Sequence, residues 1–157
     1  MISRLALAKD EEEVVEMVRD GAREFMPHVP FCEKTTRTRF RESITTAHPT
    51  TFVCVKRRSG RLTGFLVCSM HEYLFSPRLH VILDTIYVRP DSRGTRAAAS
   101  LAEQFVEWAK RLGALEAYMG VGHGQHIERT ARFFERLGAQ RVGWSMRIKV
   151  PEHAWRR

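Results

Sequence analysis

Residues 80–112 constrain this chain most. HVILDTIYV (80–88) is a β-branched and apolar run, and RPDSRG follows it as a short loop. From Thr95 to Leu112, the residues Ala98, Leu101, Ala102, Phe105, Ala109 and Leu112 then recur at helical spacing until Gly113. A strand that is apolar on both faces belongs inside a sheet. An amphipathic helix that leaves such a strand directly must bury its stripe against that sheet. The pair therefore predicts an α/β fold with residues 80–88 as a central strand.

The flanking sequence fills in the rest. DEEEVVEMVRDGAREF (10–25) predicts a first helix with an acidic first turn suited to the helix dipole. Pro27 and Pro30 end it, and Glu33 to Ala47 predicts a second helix with Phe40 and Ile44 on one face. TFVCVK (51–56), the turn RRSGR and the apolar run 62–71 predict a hairpin, with a loop through Ser76-Pro77 before the central strand. After the long helix come a strand at 117–121, a helix at 127–137 closed by Gly138, and a last strand at 140–150. The expectation is one domain, 1–157, with a mixed sheet flanked by helices.

Composition excludes more than it identifies. No apolar run approaches the ~18 residues of a membrane span, and the N-terminus turns acidic before a signal-peptide core could form, so a cytoplasmic, non-membrane protein is expected. Three cysteines, Cys32, Cys54 and Cys68, lack metal-ligand spacing, so neither disulfide nor zinc is expected. The net charge of +8 suits a polyanionic ligand, but the arginines are scattered rather than gathered into one face, which argues against nucleic acid.

A strand that ends in a turn and opens a helix directs free N–H groups and a positive dipole end outward, a geometry that binds phosphate. In IYVRPDSRGTRAAASL (86–101), Arg93 and Arg96 add charge there, and Gly94 and Ala97 to Ala99 let a ligand approach the backbone. The same turn also reads as an ordinary exposed loop with solvated arginines.

VRPDSRGTRAAASL resembles the acyl-coenzyme A pyrophosphate loop of GNAT acyltransferases, an Arg or Gln followed by x-x-Gly-x-Gly/Ala after a strand ending V-x-P, with Arg93, Arg96 and Ala98 at the key positions. TARFFERLGAQRVG (130–143) resembles the family's C-terminal helix and its exit. The resemblance implies a GNAT-like mixed sheet splayed between the strands at 80–88 and 117–121. It further implies acetyl-CoA as co-substrate, bound by Ile86, Val88, Arg93, Gly94, Thr95, Arg96, Ala98 and Phe134, and a primary amine of a small molecule or protein as acceptor. A homodimer is compatible with it. Arg96 replaces the usual glycine and is expected to clamp the pyrophosphate from outside. Phe134 replaces a tyrosine that protonates the leaving thiolate, and Ile127 an asparagine that touches the cofactor. Loss of these groups keeps open a second reading, a catalytically silent acyl-CoA-binding protein.

For the base, strand parity puts Asp84 on one face with Ile82, Ile86 and Val88, a carboxylate on an apolar face with a tendency to a raised pKa. It also reads as a structural acid paired with backbone or arginine. Glu72 is second. His123 and His126 read either as general acids at the acyl end or as loop histidines.

Overall fold

The computed structural model describes residues 1–120 and 124–150. The chain forms two compact units, Met1–Met119 and Gly120–Arg157.

The first unit holds a five-stranded mixed sheet, β1 (Ile2–Leu5), β2 (Thr50–Val55), β3 (Leu62–Tyr73), β4 (Ser76–Val88) and β5 (Glu116–Met119), in that spatial order. All neighbours are antiparallel except β4 and β5, which are parallel. The parallel pair requires a crossover. It is α3 (Ala97–Arg111), the helix expected from the 95–112 stripe. Two helices precede β2: α1 (Glu11–Phe25) and α2 (Glu33–Thr46).

Alternation along β2 assigns the faces. Val53 packs with Val14 and Met17 of α1, Phe40 of α2, and Phe65 and Tyr87. Its neighbour Phe52 meets Trp108 of α3 edge-on at 6.3 Å. Helices α1 and α2 therefore cover one face and α3 the other. Gly64 marks the closest approach: a Cβ there would stand 2.5 Å from the Tyr87 carbonyl and 3.3 Å from Leu101 Cδ1. Ion pairs tie α1 to α2, with Arg37 bridging Glu11, Glu12 and Glu33 and Arg41 held by Glu11.

The first unit departs from the sequence reading at three places. The chain opens with a strand, β1, that the sequence reading left unassigned; its four residues pair with β2 from Ile2↔Val55 to Leu5↔Phe52. The loop expected through Ser76 is a tight turn, since Tyr73 pairs with Ser76 and only Leu74 and Phe75 lie between them. Finally, the parity argument for β4 fails at a bulge. Val67 pairs with Thr85 but Cys68 with Leu83, which leaves Asp84 as the extra residue on β4. Because Cys68 and Leu66 share a face and pair with Leu83 and Ile86, it is Leu83, Ile86 and Val88 that lie together, not Ile82 with Ile86.

The second unit contains α4 (Ile127–Arg136), closed by Gly138 at φ 94°. Arg141 folds back on it, bonding Glu128 and Glu135. The last strand expected at 140–150 is absent: these residues have no regular structure. Val142, Trp144, Met146, Ile148 and Val150 do alternate with polar residues, but all five are exposed. Alternation makes a strand only where a neighbouring edge completes its hydrogen bonds, and none does so among the described residues.

Candidate functional site

Between β4 and α3 the chain turns through a short 3-10 segment, Pro90–Ser92. Arg89, at its start, is structural: it is buried, and it bonds the Leu62 carbonyl through Nε and Glu16 at 2.7 Å. Thr95 shapes the entry to α3. Its hydroxyl donates to the Ser92 carbonyl at 2.7 Å and accepts from the Ala97 N–H at 3.2 Å. Gly94 takes φ 78°, with open space where a Cβ would project. Arg96 starts the helix without a side-chain cap, so much of the first turn keeps N–H groups that no intrahelical carbonyl serves. Ala97 is fully buried against the sheet, and Ala98 follows it half-buried.

Both loop arginines already have partners. Arg93 bonds Glu24 through both terminal nitrogens and the Val88 carbonyl through Nε, and it lies over the rings of Phe25 and Tyr87. The Glu24 hydrogen bond raises the Arg93 pKa further above its ordinary value. Arg96 reaches Glu103 at 3.0 Å and stays largely exposed.

Strand β4 outruns β5 at the end that leads into this loop. Their ladder runs from His80↔Glu116 to Leu83↔Met119 and ends there, while β4 continues past the bulge to Val88. From Asp84 to Val88, β4 has β3 on one side and, among the described residues, no paired strand on the other. Ile86 and Val88, both half-buried, lie on this stretch.

Asp84 is exposed rather than set on an apolar face, and its Oδ1 accepts from the Ser69 hydroxyl at 3.0 Å. Glu72 is exposed near the β3–β4 turn, opposite Leu79. Phe134 is buried on α4, and Ile127 begins that helix half-exposed. His123 lies outside the described residues, while His126 precedes α4 at φ 50° with no side-chain cap bond.

The bulge brings together residues that the sequence reading passed over. Ser69 also contacts His71 Nε2 at 3.0 Å. His71 stacks on its ladder partner His80 at 5.6 Å, and His80 in turn packs on Tyr73 and Tyr118. The hydroxyls of Tyr73 and Tyr118 both donate to Glu116. These bonds hold the Glu116 carboxyl below its usual range and push Tyr73 up to about 12. The only available signal was Ser69, His71 and Tyr73 at period two on one strand, which marks a polar face. Among the described residues, no group of three or more His, Cys, Asp or Glu could hold a metal ion, and no helix is long and apolar enough to cross a membrane.

A model of the acetyltransferase (GNAT) family matches residues 7–139. No curated protein sequence matches the chain. Among solved structures, an acetyltransferase from Trypanosoma brucei superposes with TM-score 0.73 at 17% identity, over 94% of this chain and 98% of that one. A tetramutant of the BH1408 protein from Bacillus halodurans gives 0.76 at 21% identity, over 96% and 100%. The ribosomal-protein-alanine N-acetyltransferase of Brucella melitensis gives 0.71 at 16% identity, over 96% and 99%. At these identities the likeness is one of fold.

Proposed function

The chain belongs to the GNAT acetyltransferase family, and on that premise we propose that it is an acetyl-CoA-dependent N-acetyltransferase, acting as one domain over 1–157. It moves an acetyl group to a primary amine of a small molecule or protein by direct attack on the thioester. The observation that carries this reading is the stretch of β4 beyond Leu83, past the Asp84 bulge and leading into the loop that opens α3, which among the described residues has a paired strand on one side only.

The residues present fit a pyrophosphate-bearing ligand, because Gly94 leaves its flank open and the Arg96 side chain makes no cap at the start of α3, where Thr95 holds only the Ala97 N–H. Arg93, Gly94, Thr95, Arg96 and Ala98 would hold the pyrophosphate, chiefly through backbone N–H groups. Ile86 and Val88 would offer strand backbone to the pantetheine arm; Phe134, in the second unit, is a further residue proposed for the cofactor. When bound, acetyl-CoA supplies an activated acyl carbonyl and a thiolate leaving group. N–H groups of β4 beyond the bulge offset the charge that develops on the attacked oxygen. Asp84 is the carboxylate that serves the acceptor's proton, with Glu72 and His123 as second candidates.

A silent, coenzyme-binding member is the alternative; the buried phenyl ring of Phe134, which can donate no proton, and the engaged Arg93 favour it. Calorimetric titration with acetyl-CoA, with dephospho- and desulfo-analogues as controls and thiol release followed over a panel of amines, separates the readings. Saturable binding with thiol release supports the enzyme. Binding without release supports the silent member, and no binding removes both.

A further inference from the structure

The hydrogen bonds around Ser69 have a direction. Its single hydroxyl proton goes to Asp84 Oδ1, so its oxygen can only accept in the 3.0 Å contact with His71 Nε2. His71 must therefore carry its proton on Nε2, which leaves the Nδ1 lone pair free. The side chain is exposed, stacked on His80 and set edge-on to His48 at 6.4 Å. A carboxylate, a hydroxyl and an oriented imidazole are thus linked in series, starting at the bulge of β4.

We propose that His71 Nδ1 is the atom that takes the acceptor's proton, with Asp84 a positioning residue that acts through Ser69. This rests on the N-acetyltransferase reading and moves the proton-accepting role from Asp84 to His71. In the step, the amine nitrogen forms the new C–N bond and the C–S bond breaks with its electron pair leaving on sulfur. The proton shed by nitrogen passes to Nδ1. The resulting imidazolium keeps its Nε2–H on Ser69, whose hydroxyl remains bonded to the Asp84 anion. The titratable groups that face His71 are His48 from the connection before β2, His80 and Asp84 from β4, and, past His80, Tyr73 with Glu116 and Tyr118.

Two measurements on the full chain test this. Long-range proton–nitrogen correlation on labelled protein, above the imidazole titration range, should show His71 as the Nε2–H tautomer, and Ser69→Ala should erase that preference. A proton on Nδ1 overturns the proposal whatever the activity. With acetyl-CoA and a panel of primary amines, His71→Gln should lower kcat by about 10²-fold or more and remove the acidic limb of its pH profile, while calorimetric affinity for acetyl-CoA stays unchanged. Asp84→Asn should retain the limb while lowering kcat, as expected of a residue that positions the imidazole rather than taking the proton. Turnover whose limb survives His71→Gln overturns this proposal alone. Absence of turnover in the unaltered chain overturns the acetyltransferase reading and this proposal with it.

Discussion

Arg93 grips Glu24 through two parallel hydrogen bonds of 2.7 and 2.6 Å, so the best-placed cation of the β4–α3 loop is already neutralised by a carboxylate of α1. An anion arriving at the loop has to share or displace that partner. Arg93→Ala should weaken acetyl-CoA binding by roughly 1–3 kcal/mol, the range for charge-assisted bonds. Glu24→Gln should strengthen it by releasing the guanidinium. Calorimetry on both variants checks the pair; weaker binding in Glu24→Gln would mean that the carboxylate positions Arg93 rather than competing for it.

Gly64 has no room to grow. Since a Cβ would stand 2.5 Å from the Tyr87 carbonyl, Gly64→Ala must push β3 and β4 apart, which should cost about 1–3 kcal/mol in urea unfolding. Removing bulk from the same face hurts differently: Phe105→Ala leaves a void beside a fully buried site and should cost roughly 3–5 kcal/mol. A Gly64→Ala protein as stable as the parent would disprove the close approach.

Acid should loosen the α1–α2 pair before the sheet. Arg41 first, then Arg37, lower the Glu11 carboxyl from 4.5 to about 2. Its folded pKa lies below the unfolded one, so its contribution is complete above about pH 4.5 and is lost as pH falls toward 2. Stability should drop through that window, and Glu11→Gln should flatten the drop. Equal slopes for parent and variant in denaturant titrations between pH 5 and 2 would exclude Glu11 as the source.

The three cysteines should separate cleanly by reactivity. Cys32 is exposed, and the Thr35 hydroxyl bonded to its sulfur lowers its pKa. Cys54 and Cys68 are buried, and burial pushes Cys68 up to about 12. A thiol reagent at neutral pH should modify one cysteine quickly in the native protein and the others only on unfolding. Fast native labelling that persists in Cys32→Ser would contradict the burial of the β2 and β3 thiols.

What could be read in advance follows the range of the interactions involved. The run 80–88, its loop and the 95–112 stripe are local patterns, and β4, the turn and α3 appear within two residues of the expected helix ends and four of the expected strand start. Strand β1 was illegible because ISRL carries a charge and is too short to show a period; pairing with β2, some fifty residues away, makes it a strand. The opposite error at 140–150 has the same origin, a good period without a partner. In the candidate site, the turn at Gly94 and Thr95 was visible as local chemistry. The alignment of Asp84, Ser69 and His71 depends on register between two strands and on one inserted residue, and neither is written in either strand alone.

Position 84 should accordingly tolerate a change of letter far better than a change of length. Asp84→Asn alters one exposed side chain. Deleting Asp84 would invert every side chain between it and the end of β4, turning Ile86 and Val88 away from α3 and Tyr87 out of its cluster with Phe65. In related chains that preserve this architecture, insertions and deletions should be confined to the loops on either side of β4, because the extra residue keeps both halves of the strand in step with the same core.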